Sequence, residues 1–155
     1  MKGFKMDKTG EYNRFLDLRP LNVTGALPGS RCALVSMRDI AAVGIEQNAI
    51  VMAANIRNPL SAFGILKAAH EVDSFVVLEL AKSEATYTGV NFKNLPWFAM
   101  QYSSLLGEGV VYALHMDHYA IKSFADRDES IVSVPDAISR GWTSVAIDAL
   151  SLIHI

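Results

Sequence analysis

Gly109-Val110-Val111-Tyr112-Ala113-Leu114-His115-Met116-Asp117-His118 is an apolar run of strand length that ends abruptly in two histidines flanking a carboxylate. In a parallel sheet the strand bodies are packed core, while ligands and reactive groups collect at the C-terminal strand ends. The stretch therefore predicts a buried strand from Val110 to Met116 that brings a metal ligand and a proton carrier to its tip.

The same unit recurs on either side. Upstream, Leu95 to Leu106 reads as a helix opened by Asn94 and Pro96 and closed by Gly107. Before it, Phe75 to Ala81 reads as a strand. Asn58 can cap a helix with Pro59 at its first position, and Ala62, Ile65, Leu66, Ala69 and Val72 recur at helical spacing. Ala49 to Asn55 is short and continuously apolar, hence a buried strand, and MRDIAAVGIEQ from Met37 to Gln47 a short helix. Downstream, Val134 to Ser139 predicts a helix stopped by Gly141, followed by a strand from Thr143 to Asp148. Strands built from unbroken apolar runs and alternating with helices imply a parallel sheet with right-handed crossovers. Residues 1–33, with Pro20, Gly25, Pro28 and Gly29 among short polar stretches, predict an irregular N-terminal extension.

Four strand–helix units admit two architectures. A complete (β/α)8 TIM barrel needs about 250 residues, so 155 residues supply its first half; the alternative is a compact open α/β domain. Residues 150–155, Leu-Ser-Leu-Ile-His-Ile, carry no turn or capping signal where a loop and helix belong. They read as a non-native tail.

Composition narrows the function classes. A hydrophobic share of 51% fits a sheet covered on both faces, but no apolar run approaches the roughly 18 residues of a membrane span. The first fifteen residues are too charged for a secretory signal, so a cytoplasmic address is expected. The single cysteine, Cys32, excludes an internal disulfide and a thiolate metal cluster. A net charge of −2 with scattered basic residues gives no nucleic-acid footprint. Small-molecule chemistry is the expectation.

Each polar candidate has a plainer alternative. His115, Asp117 and His118 can bond locally at a strand end. Asn55 can orient a polar substrate or simply lead into a helix. Asp148 reads as a helix cap. Glu79, inside an apolar strand, is a barrel-interior polar group or a partner of Lys82. Met52, Met100 and Met116 read as core filler, and His70 and His154 carry no chemistry.

Val35-Ser36-Met37, Ala54-Asn55-Ile56-Arg57-Asn58, Ile65-Leu66-Lys67-Ala68-Ala69-His70-Glu71, Ala113 to His118, and Gly141-Trp142-Thr143-Ser144-Val145-Ala146-Ile147-Asp148-Ala149 together resemble the N-terminal half of class II, metal-dependent fructose-bisphosphate aldolases and their tagatose-bisphosphate relatives. The resemblance spans about residues 34–149. HxDH at a third strand followed by GxTSVxID at a fourth is its most specific feature.

The resemblance implies an incomplete TIM barrel of about four units and a lyase of carbohydrate metabolism. Such an enzyme interconverts fructose 1,6-bisphosphate with dihydroxyacetone phosphate and glyceraldehyde 3-phosphate, using Zn2+ or another divalent metal. By position, Asp117 is the proton-transferring acid/base, His118 a zinc ligand and Asn55 a substrate contact. Where the family often has a serine at the second strand end, this chain has Ala81, with Ser83 two residues on as the substitute substrate contact. The remaining ligands, a glutamate and further histidines, belong to the family's second half, as do the phosphate loops. The expectation is a fragment that binds zinc poorly, has little activity of its own and is homo-oligomeric at full length. The residues from Ala125 to Ser133 are expected to lengthen the loop after the third strand. A non-catalytic α/β sugar- or phosphate-binding module, or another TIM-barrel sugar-phosphate enzyme, is the alternative.

Overall fold

The computed structural model describes residues 10–107 and 109–148, the side chains of Gly10 and Glu11 excepted. The expected non-native tail lies outside the described residues. In chain order the elements are α1 (Gly10–Asp17), α2 (Leu21–Ala26), β1 (Ala33–Leu34), α3 (Met37–Glu46), β2 (Met52–Asn55), α4 (Pro59–Glu71), β3 (Val76–Ala81), a 3-10 turn (Glu84–Thr86), α5 (Leu95–Leu106), β4 (Val111–Ala120), α6 (Phe124–Ser139) and β5 (Ser144–Asp148). All five strands are parallel. β4 is central: β3 and then β2 lie on one edge, while the other is shared by β1, beside residues 111–112, and β5, beside residues 115–120. The sheet does not close, so the fold is an α/β, partial TIM-barrel-like one.

Each face of the sheet has its own core. Leu34, Val76, Leu78, Leu80, Tyr112, Leu114 and Met116 pack outward against α4, α5 and residues of α6, with Trp142 and Tyr119 in the same cluster. The indole N–H of Trp142 donates to the Phe92 carbonyl at 2.8 Å. Ala33, Val35, Val77, Val111 and Ala113 face the other way, covered by Tyr12, Phe15 and Leu16 of α1 and by Met37 and Ile40 of α3. Alternation along β3 and β4 thus separates an outer from an inner face.

Several helix signals are realised as expected. Asn58 caps α4 by accepting from the Ser61 N–H at 3.0 Å, with Pro59 in the first turn. Gly107, at φ +79°, ends α5 in a conformation that only glycine adopts freely.

Other elements depart from the expectation. Residues 10–17 and 21–26 are helical rather than irregular, because short segments gain order from tertiary contacts rather than from their own periodicity. Ala125–Ser133 is not loop: α6 begins at Phe124, where the Ser123 hydroxyl accepts from the Asp126 N–H. β2 starts three residues later than expected and is largely exposed, since it pairs only with β3 among the described residues and its outer edge has no strand beside it. Met52, expected in the core, is 55% exposed, and Val72, expected to continue the helical apolar spacing, lies just past the end of α4 and is exposed too. β4 runs on through the histidine motif to Ala120. Lys82 leaves Glu79 and pairs instead with Asp126 and Glu129 of α6, at 3.1 and 3.2 Å. No helix among the described residues is long and apolar enough to cross a membrane.

Candidate functional site

Parallel register sets one polar row across the inner face. Asn55 is level with Glu79, Glu79 with His115, and His115 with Ser144. Partners at one level of a sheet point to the same side, so four strands each contribute one polar side chain at a single height. Immediately below lie Val77 and Ala113 of the inner core. Asp117 stands one step higher, level with Ala81. The row sits near the C-terminal mouth of the sheet.

A bulge lets neighbouring residues share that mouth. Between the pairs Met116–Val145 and Tyr119–Ile147, two residues of β4 face one of β5. Met116 and Tyr119 therefore both enter the outer core, and Asp117 and His118 are left together above the row. His118 takes φ +41°, a left-handed conformation uncommon outside glycine that clusters at functional sites. Its ring is 76% exposed, and Nε2 is 3.7 Å from Oδ1 of Asp117.

Donor atoms of Glu79, His115 and Asp117 lie within 4.8 Å of one another. Burial, then the neighbouring Asp117 charge, pushes the Glu79 carboxyl above its ordinary range, with His118 acting in the opposite sense. Burial lowers His115 against the pull of Asp117, which favours the neutral imidazole that a metal ion requires. His115 Nδ1 is 2.7 Å from Ser144 Oγ.

Beside the row, Glu84 is a buried carboxylate held on several sides. It accepts from Arg57 Nε at 2.8 Å, from Arg57 Nη2 at 2.5 Å and from Asn55 Nδ2 at 3.3 Å. Glu84 opens the 3-10 turn after β3 and ties the two strand ends together. Its hydrogen bond to Asn55 fixes the amide orientation, with the oxygen left for other donors. Ser83, the proposed substitute contact, is exposed just before this turn, and its carbonyl accepts from Thr86.

The structure thus gathers Asn55, Asp117 and His118 at one mouth and leaves Ser83 on the adjacent rim. Glu79 and Ser144 complete the row, while Glu84 orders it; none of the three had been assigned a site role. The signal was the equal height of one polar residue in each of four apolar strands, which becomes visible only once the strands are set in register. Asp148, at the end of β5, is outside this row and accepts the Ile121 N–H through its carbonyl at 2.8 Å.

No curated protein matches the chain. The family model described as fructose-bisphosphate aldolase class-II matches residues 35–152, taking in every strand that builds the polar row and leaving α1, α2 and β1 outside. The chain therefore belongs to the class II fructose-bisphosphate aldolase family.

Proposed function

We propose that this chain supplies the acid/base half of an aldolase that cleaves or forms a ketose bisphosphate, fructose 1,6-bisphosphate being the substrate class. Family membership carries aldolase-type lyase chemistry in general. The observation that supports the finer reading is the placing of Asp117 and His118 together, by the bulge, above a polar row at the strand mouth.

Each residue has a defined task. Asp117, 22% exposed at its side chain, takes the hydroxyl proton in the cleavage direction and returns it to the forming alkoxide in the other. Asn55, oriented by Glu84, offers its amide oxygen to a substrate hydroxyl. The hard oxygen and imidazole donors at the mouth fit a divalent ion such as Zn2+, and His118 occupies the place of the family's ligand. When bound, such an ion supplies Lewis-acid polarisation of the substrate carbonyl. The inner apolar core below the row keeps water from the underside of the site.

The test is retro-aldol cleavage by a barrel completed from the same gene, with and without chelator. Asp117→Asn is expected to lower turnover by about 10²–10⁴-fold with the fold retained, and the chain alone is expected to show little turnover. Undiminished cleavage by the asparagine variant would overturn the assignment of Asp117.

A further inference from the structure

Arg57 is held along one edge of its guanidinium and open along another. Nε and Nη2 both donate to Oε1 of Glu84, at 2.8 and 2.5 Å, while the hydrogens of Nη1 and the second of Nη2 have no acceptor among the described residues. The Arg57 side chain is 64% exposed and that of Glu84 6%, so the carboxylate is built into the protein and the cation faces solvent. A buried carboxylate that grips the inner edge of an arginine orients the fork without consuming it. The free end presents parallel N–H groups that match two oxygens of a phosphate, a bidentate geometry that lysine lacks.

Its place at the mouth gives the fork something to meet. Arg57 follows two residues after Asn55, the end of β2, and the two side chains share one carboxylate, Asn55 on Oε2 and Arg57 on Oε1. The Arg57 carbonyl also accepts from the Gly89 N–H at 3.3 Å, so its backbone is tied to the loop that Glu84 opens. An amide oxygen free for a hydroxyl and a fork free for an anion thus stand side by side. Asp117, on β4, is two strands away, about 10 Å at the spacing of a sheet. A three-carbon chain ending in a phosphate crosses that span: one hydroxyl exchanges its proton with Asp117, the next reaches Asn55, and the phosphate lies beyond it at Arg57. Lys82, just past the end of β3, is turned to α6 and does not compete for this part.

We infer that Arg57 is a specificity residue of this mouth, binding the phosphate on the aldehyde half of a ketose bisphosphate through its Nη1–Nη2 edge while Glu84 holds the fork in place. The choice of substrate rests on the aldolase reading; the anion-binding edge does not. The sequence resemblance gave Arg57 no role and placed the phosphate loops in the family's second half, so this contact is an additional one, carried by the first half.

The experiment compares cleavage of fructose 1,6-bisphosphate with that of fructose 1-phosphate, which lacks only the phosphate in question, by the barrel completed from the same gene. Arg57→Ala is expected to lower kcat/KM for the bisphosphate about 10–100-fold more than for the monophosphate, chiefly through KM. Arg57→Lys, which keeps a cation beside Glu84 but loses the end edge, is expected to lose part of the same preference, and it serves if the alanine variant does not fold. Glu84→Gln loosens Asn55 as well as the fork, so it is expected to slow both substrates. If Arg57 only fastens two loops, its removal slows both substrates alike; an unchanged ratio in R57A overturns the inference and leaves the aldolase reading intact. If the completed barrel cleaves neither substrate, the aldolase reading falls and titration of the chain with inorganic phosphate decides the anion site. The Arg57 Nε–Hε resonance is expected to shift saturably, and a resonance that does not move overturns the inference.

Discussion

Glu79 shows how a single residue records the demands of the mouth. It lies in VVLELA, where its neighbours in sequence are buried and its neighbour in space is another carboxylate. Because its folded-state pKa is raised, the native chain holds this proton more tightly than the unfolded chain does. Ionisation above that pKa therefore costs stability, and the cost disappears as pH falls toward the ordinary value of 4.5. In metal-free buffer Glu79→Gln is expected to melt higher than the parent at pH 7, with the gap closing toward pH 4.5. Thermal melts across that window check it, and a gap independent of pH would refute it. His115 works in the opposite sense: its lowered pKa means that stability is lost as pH falls through the ordinary histidine value of 6.5. The HxDH motif was legible in the sequence because two histidines and an aspartate interrupt an apolar run. The left-handed His118 was not, because a bulge exists only relative to a partner strand.

At the scale of elements, legibility followed the source of each element's order. β3 and β4 were readable because coverage on two faces demands continuous apolar sequence, α4 because cap, proline and periodicity agree, and α5 because its proline and closing Gly107 do, although Asn94, expected to open it, makes no side-chain cap and accepts instead from the Asn91 N–H. β2 has the same apolar sequence without the coverage. Its composition announced a barrel strand correctly and its burial incorrectly. α6 was cut short because, of its apolar residues, only Val134 and Ala137 reach the core while Phe124, Ile131 and Val132 are exposed. Its start was nevertheless written locally. Ser123 accepts from the Asp126 N–H at 3.1 Å, and Asp126 Oδ2 accepts from the Ser123 hydroxyl at 2.8 Å and from the Lys122 N–H at 3.2 Å, a reciprocal box of the S-x-x-D kind. Lys82 then joins this turn to the end of β3. Ser123→Ala is expected to destabilise the chain by about 1 kcal/mol, measured by urea unfolding with an unchanged m-value. No measurable loss would mean that the first turns of α6 are held by Lys82 rather than by their cap.

The molecule as a whole is a curved sheet with two open flanks. β2 and β5 are each hydrogen-bonded on one side only among the described residues, and apolar side chains lie along them: Ile50 fully exposed, Met52 and Ile147 each 55% exposed. Two devices moderate this within the chain. α1 and α3 cover the lower inner face, and β1 adds backbone pairing beside the start of β4, where β5 does not reach. Neither device touches the outer edges of β2 and β5. Unpaired backbone beside exposed apolar surface is a template for pairing with another chain, and edge lysines are the common protection against it. The purified chain is expected to self-associate with rising concentration, seen as a shift to larger species in sedimentation velocity. Met52→Lys and Ile147→Lys place a charge on each flank without entering either core, so each alone is expected to reduce association and the pair to reduce it further, with melting temperatures close to the parent's. Should the double variant associate as strongly as the parent, the contact lies elsewhere, and the exposed faces of α5 and α6, carrying Trp97, Leu105, Ile131 and Val132, become the surfaces to substitute next.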